Sequence, residues 1–196
     1  MSGERMLAFL SGCNLEQQLG LRIVTQCAPV LKGVKISNLI SVKPGQNRQV
    51  KSYLKGTRVT CTLLYTDKRK EILFLYRCDM LENYLRKAEV KHFLQSYGYL
   101  DTGIAGIFIR LRSRYRNYAA GNQEFPHELG VLLEYPVQDV EDFIRFKGKH
   151  CLMERYWKVY HDPEGAKRTF RIYDEARETA MEEILAGYPL LRVAVS

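Results

Sequence analysis

The chain has 196 residues and is 46% hydrophobic, which is enough for one domain with a sizeable core. No apolar run approaches the roughly 20 residues that a membrane-spanning helix needs, and the first residues lack the basic segment of a secretory signal. We therefore expect one domain over residues 1–196, located in the cytoplasm, with no membrane partner.

The positive charge of the chain is concentrated in one segment. The net charge is +8, and residues 32–77 hold 11 Lys or Arg against 2 Asp or Glu, which leaves 19 against 20 in the rest of the chain. Such a basic region attracts nucleic acid, an anionic ligand or an acidic protein surface, and it is equally typical of a well-solvated face. Non-specific nucleic acid is therefore one candidate partner.

The five cysteines are an odd number, and they are widely spaced with no CxxC pair. This pattern argues against both a disulfide framework and a zinc site. The histidines His92, His150 and His161 also lack the spacing of a metal-binding helix. We expect reduced thiols and no metal site, and the sequence leaves the identity of any cofactor unknown.

In the first half of the chain, a helix precedes a set of strands. Asn14 and Gln17 form a capping pattern, and apolar residues at helical spacing continue until Pro29, which disfavours helix in the residue before it. We therefore predict a helix over 15–26. Runs rich in Val, Thr, Ile and Leu predict strands, and a polar segment between two of them predicts a helix. The strands lie near 37–42, 58–65 and 71–77, and the helix lies around 46–55.

The second half of the chain is mostly helical. Pro126 and Pro136 each suit the first turn of a helix, which predicts a tight helical hairpin. Alternating side chains over 156–160 predict a further strand. The predicted helices cover about 79–97, a segment that begins after Asp101, 127–134, 137–146 and 163–186, and a closing strand is predicted over 190–195. Together these elements predict an α+β fold with a small, mainly antiparallel sheet covered by helices.

Several sequence blocks occur in an order that resembles a known family. The blocks are QCAPVLKGVK, ILFLYR, FPHELGVLLEYPVQDVEDFI and YWKVYHD. Over about residues 20–175 they resemble a family of uncharacterised bacterial proteins, and this resemblance implies no particular activity. The residues of this chain that resemble the recurring positions of that family are Cys27, Ala28, Pro29, Lys35, Tyr76, Arg77, Pro126, His127, Glu128, Gly130, Tyr135, Pro136, Tyr156, Trp157, Lys158 and Tyr160.

The chain also departs from this family pattern at three places. Members often have His before Cys-Ala-Pro, where this chain has Gln26, and Cys-Gly before the last block, where it has Glu154 and Arg155. A glycine commonly precedes Tyr-Pro, and here that residue is Glu134. A mechanism that needs the first imidazole or a second thiol is therefore in doubt.

Cys27, His127 and Glu128 are the candidate catalytic residues. A reactive thiol needs a base or a cation nearby and partial exposure, and both Cys27 and His127 are predicted at helix boundaries. Glu128 beside His127 places a carboxylate and a ring nitrogen at the first turn of a helix. The alternative is structural, with Cys27 packed in a corner and His127 acting as a helix cap.

Polar and aromatic residues elsewhere form a candidate ligand site. In the last block, Tyr156, Lys158 and Tyr160 would share one side of a strand, where two tyrosines beside a lysine can stack on a planar anionic ligand. If the blocks form one site, Cys27, Arg77 and His127 should converge on one concave surface. The candidate ligand-binding residues are Lys35, Arg77, Tyr135, Tyr156, Trp157, Lys158 and Tyr160.

These residues favour a protein that binds a small anionic or planar ligand, or a partner protein. One alternative is a cysteine-dependent enzyme that uses Cys27 as nucleophile and His127 as base. A second alternative is an RNA-binding module that uses the basic region 32–77.

Overall fold

The computed structural model describes residues 15–100 and 103–194, so the predicted caps Asn14 and Asp101 lie outside the described residues. The helices are α1 Leu15–Leu31, α2 Asn47–Leu54, α3 Cys78–Leu85, α4 Ala88–Ser96, α5 Gly103–Ala119, α6 Glu128–Leu132, α7 Val137–Arg145, α8 Pro163–Leu185 and α9 Leu190–Val193. The strands are β1 Ser37–Val42, β2 Val59–Thr66, β3 Glu71–Arg77, β4 Met153–Glu154 and β5 Lys158–Val159. No helix among the described residues is long and apolar enough to cross a membrane.

The strand β3 lies at the centre of a three-stranded antiparallel sheet, between β1 and β2. Every residue of β3 is buried, because helices cover both faces of the sheet. Side chains alternate along a strand, so Phe74 and Tyr76 face one helical layer while Leu73 and Leu75 face the other. The predicted α+β fold is confirmed, and the predicted hairpin of β2 and β3 is its core.

Two helical layers and one small hairpin complete the fold. Helices α3 to α7 pack on the face that carries Phe74, and helices α1, α2, α8 and α9 pack on the face that carries Leu75. Strands β4 and β5 form a separate two-stranded sheet, which packs through Trp157 and Val159 on Phe170 and Tyr173 of α8. This arrangement leaves a cleft between the β4–β5 hairpin and the helices α6 and α7.

The first helix is longer than predicted, because it continues through Pro29 to Leu31. A proline costs the helix one backbone hydrogen bond. Here the residues on both sides of it, Ala28 and Val30, are fully buried in the core, and that burial offsets the loss. The prediction that the helix ends at 26 was wrong because local proline geometry was weighed without tertiary packing.

Two further segments differ from the sequence prediction. The segment 190–195 was predicted as a strand, but it contains the helix α9, whose buried residues Leu190 and Val193 are three apart as in a helix. The segment 79–97 forms two helices, α3 and α4, because its buried positions shift phase between Tyr84 and Val90. No proline or glycine marks the change between Tyr84 and Val90, whereas Pro189 directly precedes α9.

The strand predicted over 156–160 is shorter in the structure, where only Lys158–Val159 pair with Met153–Glu154. The predicted alternation holds for Trp157 and Val159, which are buried. It fails at Tyr160, which is also buried and stacks on Phe146 at a centroid distance of 5.9 Å. The strand ends there because the Asp139 carboxylate accepts the backbone N–H groups of Tyr160 and His161.

Candidate functional site

The cleft between α6–α7 and the β4–β5 hairpin has a volume of about 360 Å³. It brings together five of the predicted site residues, from two blocks that are separate in the sequence. These five are His127, Tyr135, Tyr156, Trp157 and Lys158. The remaining lining residues are Leu39, Phe125, Leu129, Gly130, Leu133, Asp139, Val140, Phe143, Glu154 and Arg155.

Six of the fifteen residues that line the cleft carry aromatic rings. The rings of Tyr135 and Trp157 stack at a centroid distance of 5.5 Å with planes 26° apart. The His127 ring lies between Phe125 and Phe143, at 5.6 Å and 5.5 Å from their centroids. Flat apolar faces with a few polar edges favour planar ligands.

Asp139 holds the Trp157 side of the cleft in place. Its carboxylate is 2% exposed and accepts hydrogen bonds from the indole N–H of Trp157 at 2.7 Å and from the backbone N–H groups of Tyr160 and His161 at 2.9 Å. Asp139 is not among the site residues predicted from the sequence. Its position between Val137 and Val140, both buried, was the available signal for a buried carboxylate.

Charged groups lie at the rim of the cleft. The Lys158 ammonium donates to the Gly148 carbonyl at 2.8 Å and lies 3.4 Å from the Glu154 carboxylate. Arg155 pairs with Asp174 at 2.7 Å, and Asp174 also accepts from the Tyr156 hydroxyl at 2.9 Å. Burial raises the pKa of Tyr156, and the Asp174 carboxylate raises it further. Lys158 is thus the cation best placed to meet an anionic group at the rim.

Lys35 lies behind the cleft wall rather than in the cleft. Its buried ammonium donates to the carbonyls of Ser37 and Leu133, both at 2.6 Å, and sits 5.5 Å from the centroid of the Tyr135 ring. Burial lowers the pKa of Lys35 to about 8, although the nearby Glu134 carboxylate acts in the opposite direction. The side chain therefore positions Tyr135 from behind.

Glu134 occupies the position where the resembled family commonly has glycine. Its φ angle is 67°, in the left-handed region that costs a side chain roughly 1–2 kcal/mol. The carboxylate offsets this strain, since it accepts the backbone N–H of Ile36 at 2.8 Å. Burial raises the pKa of Glu134, against the opposing effects of the Ile36 N–H group and the Lys35 ammonium.

Cys27 lies in the core and not in the cleft. It is 0% exposed and sits inside α1, four residues before the end of the helix, rather than at a helix N-terminus. Burial raises the pKa of the Cys27 thiol to about 12, more than the nearby Lys35 lowers it. His127 lines the cleft, so the predicted convergence of Cys27, Arg77 and His127 is not found, and this environment does not support thiolate chemistry.

We expect Cys27 to resist alkylation in the folded protein. At neutral pH a thiol with a pKa of about 12 is almost entirely protonated, and it is buried as well. Iodoacetamide labelling followed by mass spectrometry should modify the exposed Cys78 and leave Cys27 unmodified. Both should react in denaturant, which serves as the control. Labelling of native Cys27 at the rate of Cys78 would restore the cysteine-enzyme alternative.

Arg77 acts as a cap for the first helix. Its buried guanidinium donates to the carbonyls of Val30 at 2.8 Å and Leu31 at 2.6 Å, and a longer bond of 3.4 Å reaches Ala194. A cation at a helix C-terminus satisfies free carbonyls and opposes the negative end of the helix dipole. Arg77 therefore joins α1 to the sheet and takes no part in the cleft.

Glu128 is also structural in this arrangement. Its carboxylate is 0% exposed and is paired with the Arg114 guanidinium, and it accepts the Tyr99 hydroxyl at 3.0 Å. This pair of the partly exposed Arg114 and the buried Glu128 ties α6 to α5 and does not line the cleft. Tyr160 lies outside the cleft too, and its buried hydroxyl has no hydrogen-bond partner among the described residues.

Comparison with known proteins places the chain in a family. Residues 23–194 match the family described as "Protein of unknown function (DUF3793)". Searches of curated proteins and of solved structures found no match to the chain. Because the family match spans most of the chain, the protein belongs to this family of unknown function.

Proposed function

We propose that the protein binds a small planar ligand in the cleft between α6–α7 and the β4–β5 hairpin. The observation that carries this proposal is the wall of rings, in which Tyr135 and Trp157 stack while His127 lies between Phe125 and Phe143. Offset and edge-on rings leave flat apolar faces on which another ring can pack. Ligand binding by these rings requires neither the Cys27 thiol nor a second thiol, because no cysteine lines the cleft.

The volume of the cleft and the charges at its rim indicate which ligands it can hold. A cleft of about 360 Å³ is at the small end of ligand sites, which suits one or two fused rings. Lys158 at the rim would favour a ligand that carries a carboxylate, sulfonate or phosphate at one edge. Glu154, 3.4 Å from Lys158, reduces this preference, so ring packing would supply most of the affinity.

Two fluorescent probes with the same ring system can test both features. Anilinonaphthalene sulfonate is aromatic and anionic, and phenylnaphthylamine is its uncharged analogue. Trp157 is the single tryptophan of the chain, so a probe in the cleft should quench its emission and be excited through it. We expect saturable binding of both probes with this signature.

Matched variants assign the signal to the cleft. Phe143→Leu should lower the affinity for both probes several-fold, because a ring contact is worth about 0.5–1.5 kcal/mol beyond its area. Phe146→Leu, which lies outside the cleft, should leave the affinity unchanged. Lys158→Gln should weaken only the anionic probe, by about fivefold for an exposed ion pair, while Lys149→Gln should have no effect. Probe affinity that is unchanged by Phe143→Leu, together with Trp157 emission that is not quenched, would refute the proposal.

A further inference from the structure

The basic region has a surface of exposed cations, which we define as Lys43, Arg48, Lys51, Lys55, Arg58, Lys68, Arg69 and Lys70. We propose that this basic surface binds double-stranded nucleic acid through the backbone phosphates, without regard to base sequence. The proposal is independent of the cleft, because none of these eight residues lines it.

The cations of this region differ in their exposure and in their partners. Of its 11 cations, Lys35 and Arg77 are buried and bonded to carbonyls, and Lys32 pairs with Glu183 at 2.7 Å. The other eight are exposed. Within residues 15–100 and 103–194, none of the eight forms an ion pair within 4.0 Å of a carboxylate.

The two acidic residues of the region are already engaged. Glu71 is buried and accepts from the backbone and side-chain nitrogens of Asn47, at 2.9 Å and 2.8 Å. Asp67 accepts the backbone N–H groups of Arg69 and Lys70 in the β2–β3 turn. These bonds leave both carboxylates charged, and Asp67 offsets part of the charge of the cations in its own turn. Eight exposed cations against two carboxylates still give the surface a positive potential.

The cations follow a line across the molecule. Arg48 and Lys51 lie on the outer face of α2, and Lys55 directly follows its last residue, while Val50 and Leu54 are buried on its inner face. The bonds between Asn47 and Glu71 hold the start of α2 beside the turn that carries residues 68–70. Arg58 precedes the other end of β2, so the surface extends for roughly the 25 Å length of that strand.

The composition of this surface favours a duplex over other polyanions. Between residues 35 and 99 no large hydrophobic side chain is exposed, and the exposed side chains of Tyr188 and Leu191 lie beside Lys55 at one end of the surface. A membrane-binding surface would present apolar side chains for insertion, and a single-strand site would present rings on which bases stack. A surface made mainly of charged side chains suits the regular phosphates of a double helix.

The test is fluorescence anisotropy with labelled nucleic acid. A short mixed-sequence RNA duplex, the equivalent DNA duplex, the single strands and vesicles of anionic lipid are titrated at several salt concentrations between about 50 and 200 mM. We expect binding to at least one duplex in preference to single strands and vesicles, with affinity that falls steeply as salt increases.

A charge-matched pair of variants locates the site. The triple variant Arg48→Gln, Lys51→Gln and Lys55→Gln should lower duplex affinity at least about tenfold and reduce the salt slope by about 3. The control variant Lys147→Gln, Lys149→Gln and Arg171→Gln removes three exposed cations elsewhere and should leave both nearly unchanged. Circular dichroism confirms that both variants fold.

Four results would overturn the proposal. These are no binding to either duplex at low salt, stronger binding to single strands, stronger binding to vesicles, or equal loss of affinity in the two triple variants. Probe binding in the cleft should be the same in both variants, so failure here would leave the proposed ligand site intact.

Discussion

Replacing Asp139 with Ala should destabilise the protein by about 3–5 kcal/mol, because each buried donor that loses its acceptor costs roughly 1–3 kcal/mol. The change leaves three donors without an acceptor, namely the indole N–H of Trp157 and the N–H groups of Tyr160 and His161. The β4–β5 hairpin should also loosen, which should weaken both naphthalene probes. Urea unfolding followed by circular dichroism measures the loss.

The matched control for this change is Asp142→Ala on the same helix. Asp142 bonds to the exposed His161 ring at 2.8 Å, and surface pairs of this kind contribute about 0–1 kcal/mol. Equal losses in the two variants would show that Asp139 is not the anchor of the hairpin.

Replacing Glu128 with Ala should cost about 3 kcal/mol. The Arg114 guanidinium and the Tyr99 hydroxyl would lose their shared acceptor, although Arg114 is partly exposed and can regain water. Because Glu128 does not line the cleft, probe affinity in the folded variant should change little. Thermal or urea unfolding measures the loss of stability, and probe titration measures the affinity of the cleft.

The neighbouring Glu124→Ala is the control, because Glu124 is exposed and its removal should be nearly neutral. A Glu128→Ala variant that folds with unchanged stability but loses probe binding would instead assign Glu128 a direct role in the site. The two substitutions should therefore differ in effect. Loss of either Glu128 or Asp139 should lower stability, and only loss of Asp139 should also lower probe affinity in the cleft.

The parts of the fold that sequence could predict are those that local patterns encode. The β2–β3 hairpin follows from two apolar runs around a polar turn, and α6 and α7 follow from Pro126 and Pro136. Five residues of the cleft were predicted because they lie in two compact blocks, each of which folds as a unit. The two blocks meet through the bonds of Asp139 and through the stacked rings of Tyr135 and Trp157, and no local pattern specifies these contacts.

The predictions that failed depend on tertiary burial. Lys35, Arg77 and Glu128 carry charges, so sequence reasoning expected them at a site, yet each is buried and bonded to nearby polar groups. Cys27 was expected near a helix boundary because Pro29 was expected to end the helix. Burial of the flanking residues kept the helix intact and enclosed the thiol.

The central claim is that the cleft is a ligand site, and the single indole of the chain tests it most directly. An amide correlation spectrum of ¹⁵N-labelled protein contains one indole N–H signal, from Trp157. During titration with phenylnaphthylamine this signal should shift and saturate in parallel with the probe fluorescence, and the Phe143→Leu variant should require more probe. A signal that stays fixed while the probe binds would place the ligand elsewhere and contradict the claim.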